Sequence, residues 1–144
     1  LGVAIHVYFR DETGQRLALK EDRQEYADGR IRRRGDKIGM SIGEKQKRGE
    51  PPEQAAVRAF AEELKIRMAE DRLGAATPET KRTPSEAFPG IMTLYVRMVY
   101  RVTLRPDEFR PEGYVERQED KTTYFVWEPV PEPLQAANAA QKEK

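Results

Sequence analysis

The sequence predicts an α/β (α+β) domain on a mixed β-sheet, and three observations carry that prediction. Val3-Ala-Ile-His-Val-Tyr-Phe9 alternates without a break, the two-residue period of a strand with one buried face. A run that follows Gly49-Glu50-Pro51-Pro52 places its apolar residues at helical spacing. A second long alternating run, residues 92–104, comes after that helix, so strands flank it on both sides.

Taken in order, Val3, Ile5, Val7 and Phe9 form the buried side of the first strand and Ala4, His6 and Tyr8 the other. Asp11-Glu-Thr-Gly14 is a turn, and Leu17-Ala-Leu19 the returning strand. A polar, Arg-rich stretch follows, with a tight-turn signal at Asp28-Gly29. Ile38, Met40 and Ile42 alternate with Gly39, Ser41 and Gly43, a short strand that leads into an acidic segment. The helix is expected to start near Pro52, because proline suits the first turn and Glu53 suits the positive end of the helix dipole. Residues 77–89 read as a loop rich in Pro, Thr and Ser. In the long run that follows, Met92, Leu94, Val96, Met98, Tyr100, Val102 and Leu104 share one face, while Tyr95, Arg97 and Arg101 share the other. A polar loop, residues 106–121, leads to a last strand, Thr122-Thr-Tyr-Phe-Val-Trp127. The domain is therefore expected over residues 1–130. The Pro/Ala-rich tail, 131–144, is expected to form a short helix or no fixed structure.

Composition narrows the chemistry. At 144 residues the chain suits one domain with one core. Twenty-six Lys and Arg nearly balance 25 Asp and Glu, which argues against attachment to nucleic acid through bulk charge. The absence of cysteine removes disulfides, thiolate catalysis and Cys-bound zinc. One histidine, His6, removes multi-histidine metal sites; its place on the minor face of a strand suits packing better than catalysis. No apolar run approaches 20 residues and no signal-peptide pattern is present, so the cytoplasm or an organelle matrix is expected, without secretion or membrane insertion. The chain starts at Leu1 inside a strand pattern, which suggests a processed or excised domain. Arg30-Ile-Arg-Arg-Arg34 with Lys37 is a short basic stretch that reads as solvated, with phosphate or RNA contact the less favoured alternative.

The acidic segment carries the sharpest signal. Glu50, Arg58, Glu62 and Glu63 stand at the spacing E-x7-R-x3-E-E. On an ideal helix, with Arg58 at zero, Glu62 falls at ~40°, Ala59 at ~100° and Glu63 at ~140°. One arginine and two glutamates thus gather on a polar face around Ala59. Hard cations such as Mg²⁺ or Mn²⁺ take oxygen ligands, commonly a few carboxylates with water and substrate phosphate. Any solvated helix can pair Arg58 with Glu62 four residues on; the joint spacing with the Gly-Glu-Pro-Pro turn is what exceeds that.

This segment, residues 43–66, resembles the Nudix box, G-x5-E-x7-R-E-U-x-E-E-x-G-U with U aliphatic. Glu50, Arg58, Glu62, Glu63 and Ile66 match, and Phe60 matches in part. Glu44 stands where the family has its first glycine, with Gly43 beside it; Ala59 replaces a glutamate and Lys65 the late glycine. The resemblance extends loosely over most of residues 1–127. It implies a mixed sheet packed against the box helix in an α/β/α-type sandwich. It also implies a pyrophosphohydrolase acting on a nucleoside diphosphate linked to another moiety, with Mg²⁺ or Mn²⁺ as cofactor. Carried over residue by residue, Glu62 and Glu63 would be metal ligands, Gly43 would offer a backbone carbonyl, and Arg58 would brace the cluster. Glu50 would partner Arg58 or join the metal. A further carboxylate is expected from the loop before the last strand, with Glu116, Glu119 and Asp120 as candidates ahead of Glu112, and Glu44 adds an acid of its own. Arg97, Arg101 and Glu119 are candidate substrate contacts. Because alanine neither binds metal nor takes a proton, the alternative is a catalytically degenerate domain that binds a nucleotide, RNA or protein partner within a larger assembly. Substrate identity and oligomeric state are not readable from these residues.

Overall fold

The computed structural model describes residues 1–33, 40–84 and 88–131. Arg34, Lys37, Ile38 and the tail from residue 132 lie outside the described residues. The described chain forms one mixed sheet with a helix packed on one face. Its strands are β1 (Gly2–Arg10), β2 (Arg16–Tyr26), β3 (Ile31–Arg32), β4 (Ile42–Lys45), β5 (Thr77–Pro84), β6 (Met92–Thr103), β7 (Tyr114–Arg117) and β8 (Lys121–Pro129). The main order is β5-β6-β1-β2-β8-β7, with β3 on β2 and β4 on β1. The β1–β6 pair is parallel and the remaining pairs are antiparallel.

β1 alternates as its sequence requires. Val3, Ile5, Val7 and Phe9 enter the core, with Leu19, Tyr100, Val102, Leu104, Tyr114 and Phe125 around them. The helix α1 (Pro52–Ala59) lays Ala55, Ala56 and Ala59 on this layer. These small side chains allow the helix backbone to approach the sheet closely. The helical wheel places Ala59 on the polar face, yet it is fully buried in the core.

The backbone then widens into a π turn over Phe60–Leu64, which the spacing did not announce. It ends at Lys65, which adopts the left-handed conformation at φ 60°, a position glycine fills at least cost. The Ile66 N–H donates to the Phe60 carbonyl at 3.1 Å, closing the helix end.

β1 and β2 pair only near Tyr8–Ala18 and Arg10–Arg16 before they splay, and β4 enters the gap by pairing with Gly2 to Ile5. Ser41 fastens the point of divergence. Its hydroxyl accepts from the Val7 N–H at 2.9 Å and donates to the Leu19 carbonyl at 2.6 Å.

Two expectations change. The segment from Thr77 to Pro84 is a strand rather than loop, paired throughout with β6. It lies at the sheet edge, where Pro78 and Pro84 are tolerated because an edge strand leaves half its N–H groups unpaired. The apolar face of β6 is buried only in its second half. Pairing with β1 starts at Arg97, so Met92 and Leu94, before it, are 55% and 57% exposed.

Candidate active site

Five short pieces of chain converge where β4 fills the gap. Gly43 and Glu44 come from β4, Arg58 from the last turn of α1, Glu62 and Glu63 from the π turn, Glu116 from β7 and Lys121 from the start of β8. Arg58 is the brace. Its Nη2 donates to Glu50 Oε1 at 2.8 Å, its Nε to Glu50 Oε2 at 3.3 Å, and Nη2 also to the Lys45 carbonyl at 2.9 Å. Nη1 stands 3.5 Å from Glu44. Glu50 also accepts the Lys47 N–H at 2.9 Å, so both its oxygens are engaged. The guanidinium beside it, then that N–H, hold its carboxyl below the usual range.

The other carboxylates face one another. Burial pushes the Glu63 carboxyl up to about 9, and the nearby charges of Glu116 and Glu44 add to the rise against an opposing hydrogen bond from the Gly43 N–H. Among the described residues Glu63 Oε2 is buried with no hydrogen-bond partner. Glu44 is raised by burial and by its hydrogen bond with Glu62, and Arg58 offsets part of this. Glu116 is raised by burial, while Lys65 pulls it down and Glu44 and Glu62 push it up. Glu63 and Glu116 thus line one opening and Glu44 its neighbour, with less positive charge around them than three half-buried acids need. Buried acids in that position take up protons or a cation.

That donor set suits a hard divalent cation: all the side-chain donors are oxygens, and one buried oxygen has no other partner. As placed, no three Asp, Glu or His among the described residues stand close enough to enclose an ion. Gly43 is tightly seated; a Cβ there would lie 2.6 Å from Met40 Sδ and 3.1 Å from the Val3 carbonyl oxygen.

The remaining sequence candidates separate. Arg97 lines a neighbouring opening of about 700 Å³ with Tyr95, Glu44 and Lys121, and its Nε donates to Glu79 at 2.6 Å. Arg101 is exposed further along β6, where its charge, second to burial, helps lower the His6 pKa. Glu119 and Asp120 are exposed in the β7–β8 turn and do not reach the cluster; Glu116, on the strand itself, does. The sequence reading missed Glu21, Gln24 and Thr123, polar side chains buried beside Glu63 and Glu116 in a cavity of about 200 Å³. A signal existed in β8, where Thr123 shares the parity of Phe125 and Trp127.

No family model matches the chain, and neither does any curated protein. Among solved structures, the chain is similar to the crystal structure of C. elegans Ap4A hydrolase, with 15% identity and a TM-score of 0.46 over 98% of this chain and 88% of that one.

Proposed function

We propose that this domain is a Nudix-type pyrophosphohydrolase, dependent on Mg²⁺ or Mn²⁺ and acting on a nucleoside diphosphate joined to another moiety. The observation that carries the proposal is the buried, unpartnered Glu63 oxygen, which shares its opening with Glu116 and feels the charges of Glu116, Glu44 and Glu62. A divalent cation held there would neutralise phosphate charge and make water a better nucleophile at neutral pH.

The chain's own residues supply the rest. Glu62 and Glu63 would be the ligands, and Gly43 aims Glu63 through its N–H. Arg58, locked by Glu50, fixes the helix end against β4 through the Lys45 carbonyl. Glu44 stands beside Glu62 with a proton affinity raised by burial, which suits it to accept a proton from attacking water. Glu116 completes the acidic wall. Lys121, shared by both openings, and Arg97 meet the phosphates of the substrate.

The test is a hydrolysis panel with Mg²⁺ and Mn²⁺ over ADP-ribose, nucleotide sugars, dinucleoside polyphosphates and capped RNA. The parent turns over at least one substrate, and Glu62→Gln with Glu63→Gln lowers that rate by about a hundredfold or more, the scale of losing a charge-stabilising group. A parent inert across the panel sinks the proposal. It would leave the second reading, a binding module for a nucleotide, RNA or protein, which Ala59 favours because its buried place leaves no acid at that point of the helix.

A further inference from the structure

The sheet does not end squarely. Pairing of β6 with β1 starts at Arg97, whereas its pairing with β5 runs back to Met92. The pairs from Thr80 with Val96 to Pro84 with Met92 therefore form a two-stranded ribbon that reaches roughly 15 Å past β1. Two strands on their own are marginal in water. This ribbon and its turn nevertheless hold much of the exposed apolar surface. Among the described residues, eight large apolar side chains stay exposed, and five of them are Phe88, Ile91, Met92, Leu94 and Tyr95, each more than half exposed. A sixth, Leu1, stands next to the Gly2–Arg97 pair where β1 begins.

The two edges of the ribbon differ. β5 is guarded in its sequence: Pro78 and Pro84 remove N–H groups, and Glu79, Lys81 and Arg82 add charge. The other edge, on β6, reads Ile91-Met-Thr-Leu-Tyr95, with no proline and no charge to blunt pairing. Among the described residues no strand pairs with it there, because β1 takes that side only from Arg97 onward. An unguarded strand edge flanked by apolar side chains is a template for another strand.

We propose that this edge pairs with the same edge of a second copy, antiparallel about a two-fold axis at Thr93, so that two domains share one continuous sheet. Directly opposed residues of an antiparallel pair project to the same side of the sheet. An axis normal to the sheet at Thr93 brings Met92 of each copy opposite Leu94 of the other, and Ile91 opposite Tyr95. The first contact lies on one side of the sheet and the second on the other, and symmetry makes each of them twice. One register thus gives every exposed apolar side chain on the edge an apolar neighbour and buries no charge. It uses only residues 91–95, so it stays clear of β1, which begins its pairing at Arg97. The exposed apolar residues offer an area on the order of the ~800 Å² per partner that a stable interface buries. A foreign strand chosen by charge finds none on this edge to read. Tyr95 also lines the larger opening with Arg97, so the second copy stands at its rim; the pairing itself does not rest on the hydrolase reading.

Sedimentation equilibrium of the parent, carried up to about 0.1 mM, shows a dimer if Kd is micromolar. Leu94→Lys, whose contact occurs twice in each dimer, raises that Kd by about tenfold or more. Adding Met92→Glu to it recovers most of the loss, because the register then sets a carboxylate against each ammonium. The chain has no cysteine, so Thr93→Cys supplies a single thiol at the axis. Facing Cα atoms there lie about 4.5–5.5 Å apart, within the reach of a disulfide. Mild oxidation links Thr93→Cys into a dimer, while Thr80→Cys, on the guarded edge of β5, stays monomeric under the same treatment. If Leu94→Lys unfolds, the two cysteine variants decide alone. A parent that is monomeric at the highest concentration would overturn the proposal. So would a dimer untouched by Leu94→Lys, a double variant no better than the single one, or linkage through Thr80→Cys in preference to Thr93→Cys.

Discussion

Glu63 shows what a single side chain contributes and costs. Its carboxyl is held up to about 9 in the folded protein against an ordinary value of 4.5. Below pH 4.5 both the folded and unfolded chains keep this proton, so nothing is lost there. Between that value and about 9 the unfolded chain releases it while the folded chain holds it. Stability contributed by neutral Glu63 therefore falls as pH rises through this window, by up to about 1.4 kcal/mol per pH unit for one proton. Glu63→Gln, isosteric and uncharged, removes that slope. Urea unfolding of parent and variant in chelator across pH 5 to 9 gives the difference directly; parallel curves would show that Glu63 is not the group held neutral. Much of this residue's setting was readable in advance. Arg58, Glu62 and Glu63 follow one another along a single helical stretch, so helical spacing announced their neighbourhood, though the π turn and not the ideal wheel sets the two glutamates. Glu44 and Glu116 belong to strands separated from it by topology, so their arrival could be expected only as a choice among acids. Ala59 shows the reverse failure, because a wheel assigns angle but not how deep the helix sinks into the sheet.

At the scale of elements, the misread segments share a cause: each breaks the period that identifies its class. β2 runs from Arg16 to Tyr26, yet only Leu17-Ala-Leu19 read as strand, because the bulge at Asp22 reverses the alternation and places charged residues on both sides. β5 carries proline at both Pro78 and Pro84, the usual mark of a loop, which on an edge strand instead blunts pairing with another chain. The π turn leaves no pattern at all, although it sets Glu63 in the cavity and Glu62 beside Glu44. β7 is short, and its placement depends on Gly113. That residue has φ +89°, and a Cβ there would lie 2.0 Å from the Phe125 carbonyl oxygen. Gly113→Ala must therefore shift β7 away from β8, costing about 2–4 kcal/mol through backbone strain and overpacking. It also draws Glu116 away from Glu63. The expected result is a lower melting temperature together with weaker Mn²⁺ affinity. A variant that melts lower yet binds Mn²⁺ like the parent would show that β7 does not position Glu116.

Across the whole molecule, the charges nearly cancel, with 26 basic against 25 acidic residues, but they are not evenly spread. Glu44, Glu62, Glu63 and Glu116 gather close enough to act on one another's charge, beside the hydrophobic core cluster. The fold holds this arrangement at a loss, since burial raises the proton affinity of three of the four. Such a loss is recovered when a cation binds the folded state and not the unfolded one. At a free Mn²⁺ concentration about one hundred times Kd the gain is about 2.7 kcal/mol, or roughly 5–10 °C in Tm for a domain of this size. Glu62→Gln with Glu63→Gln separates the two halves of the argument. Without metal this variant melts at or above the parent, because it no longer buries a costly carboxylate. With Mn²⁺ it gains little. Scanning calorimetry of both proteins, each with Mn²⁺ and with chelator, resolves all four states in one series. Equal Mn²⁺ shifts in parent and variant would place any bound ion elsewhere, and no shift in the parent would remove the cation from the mechanism.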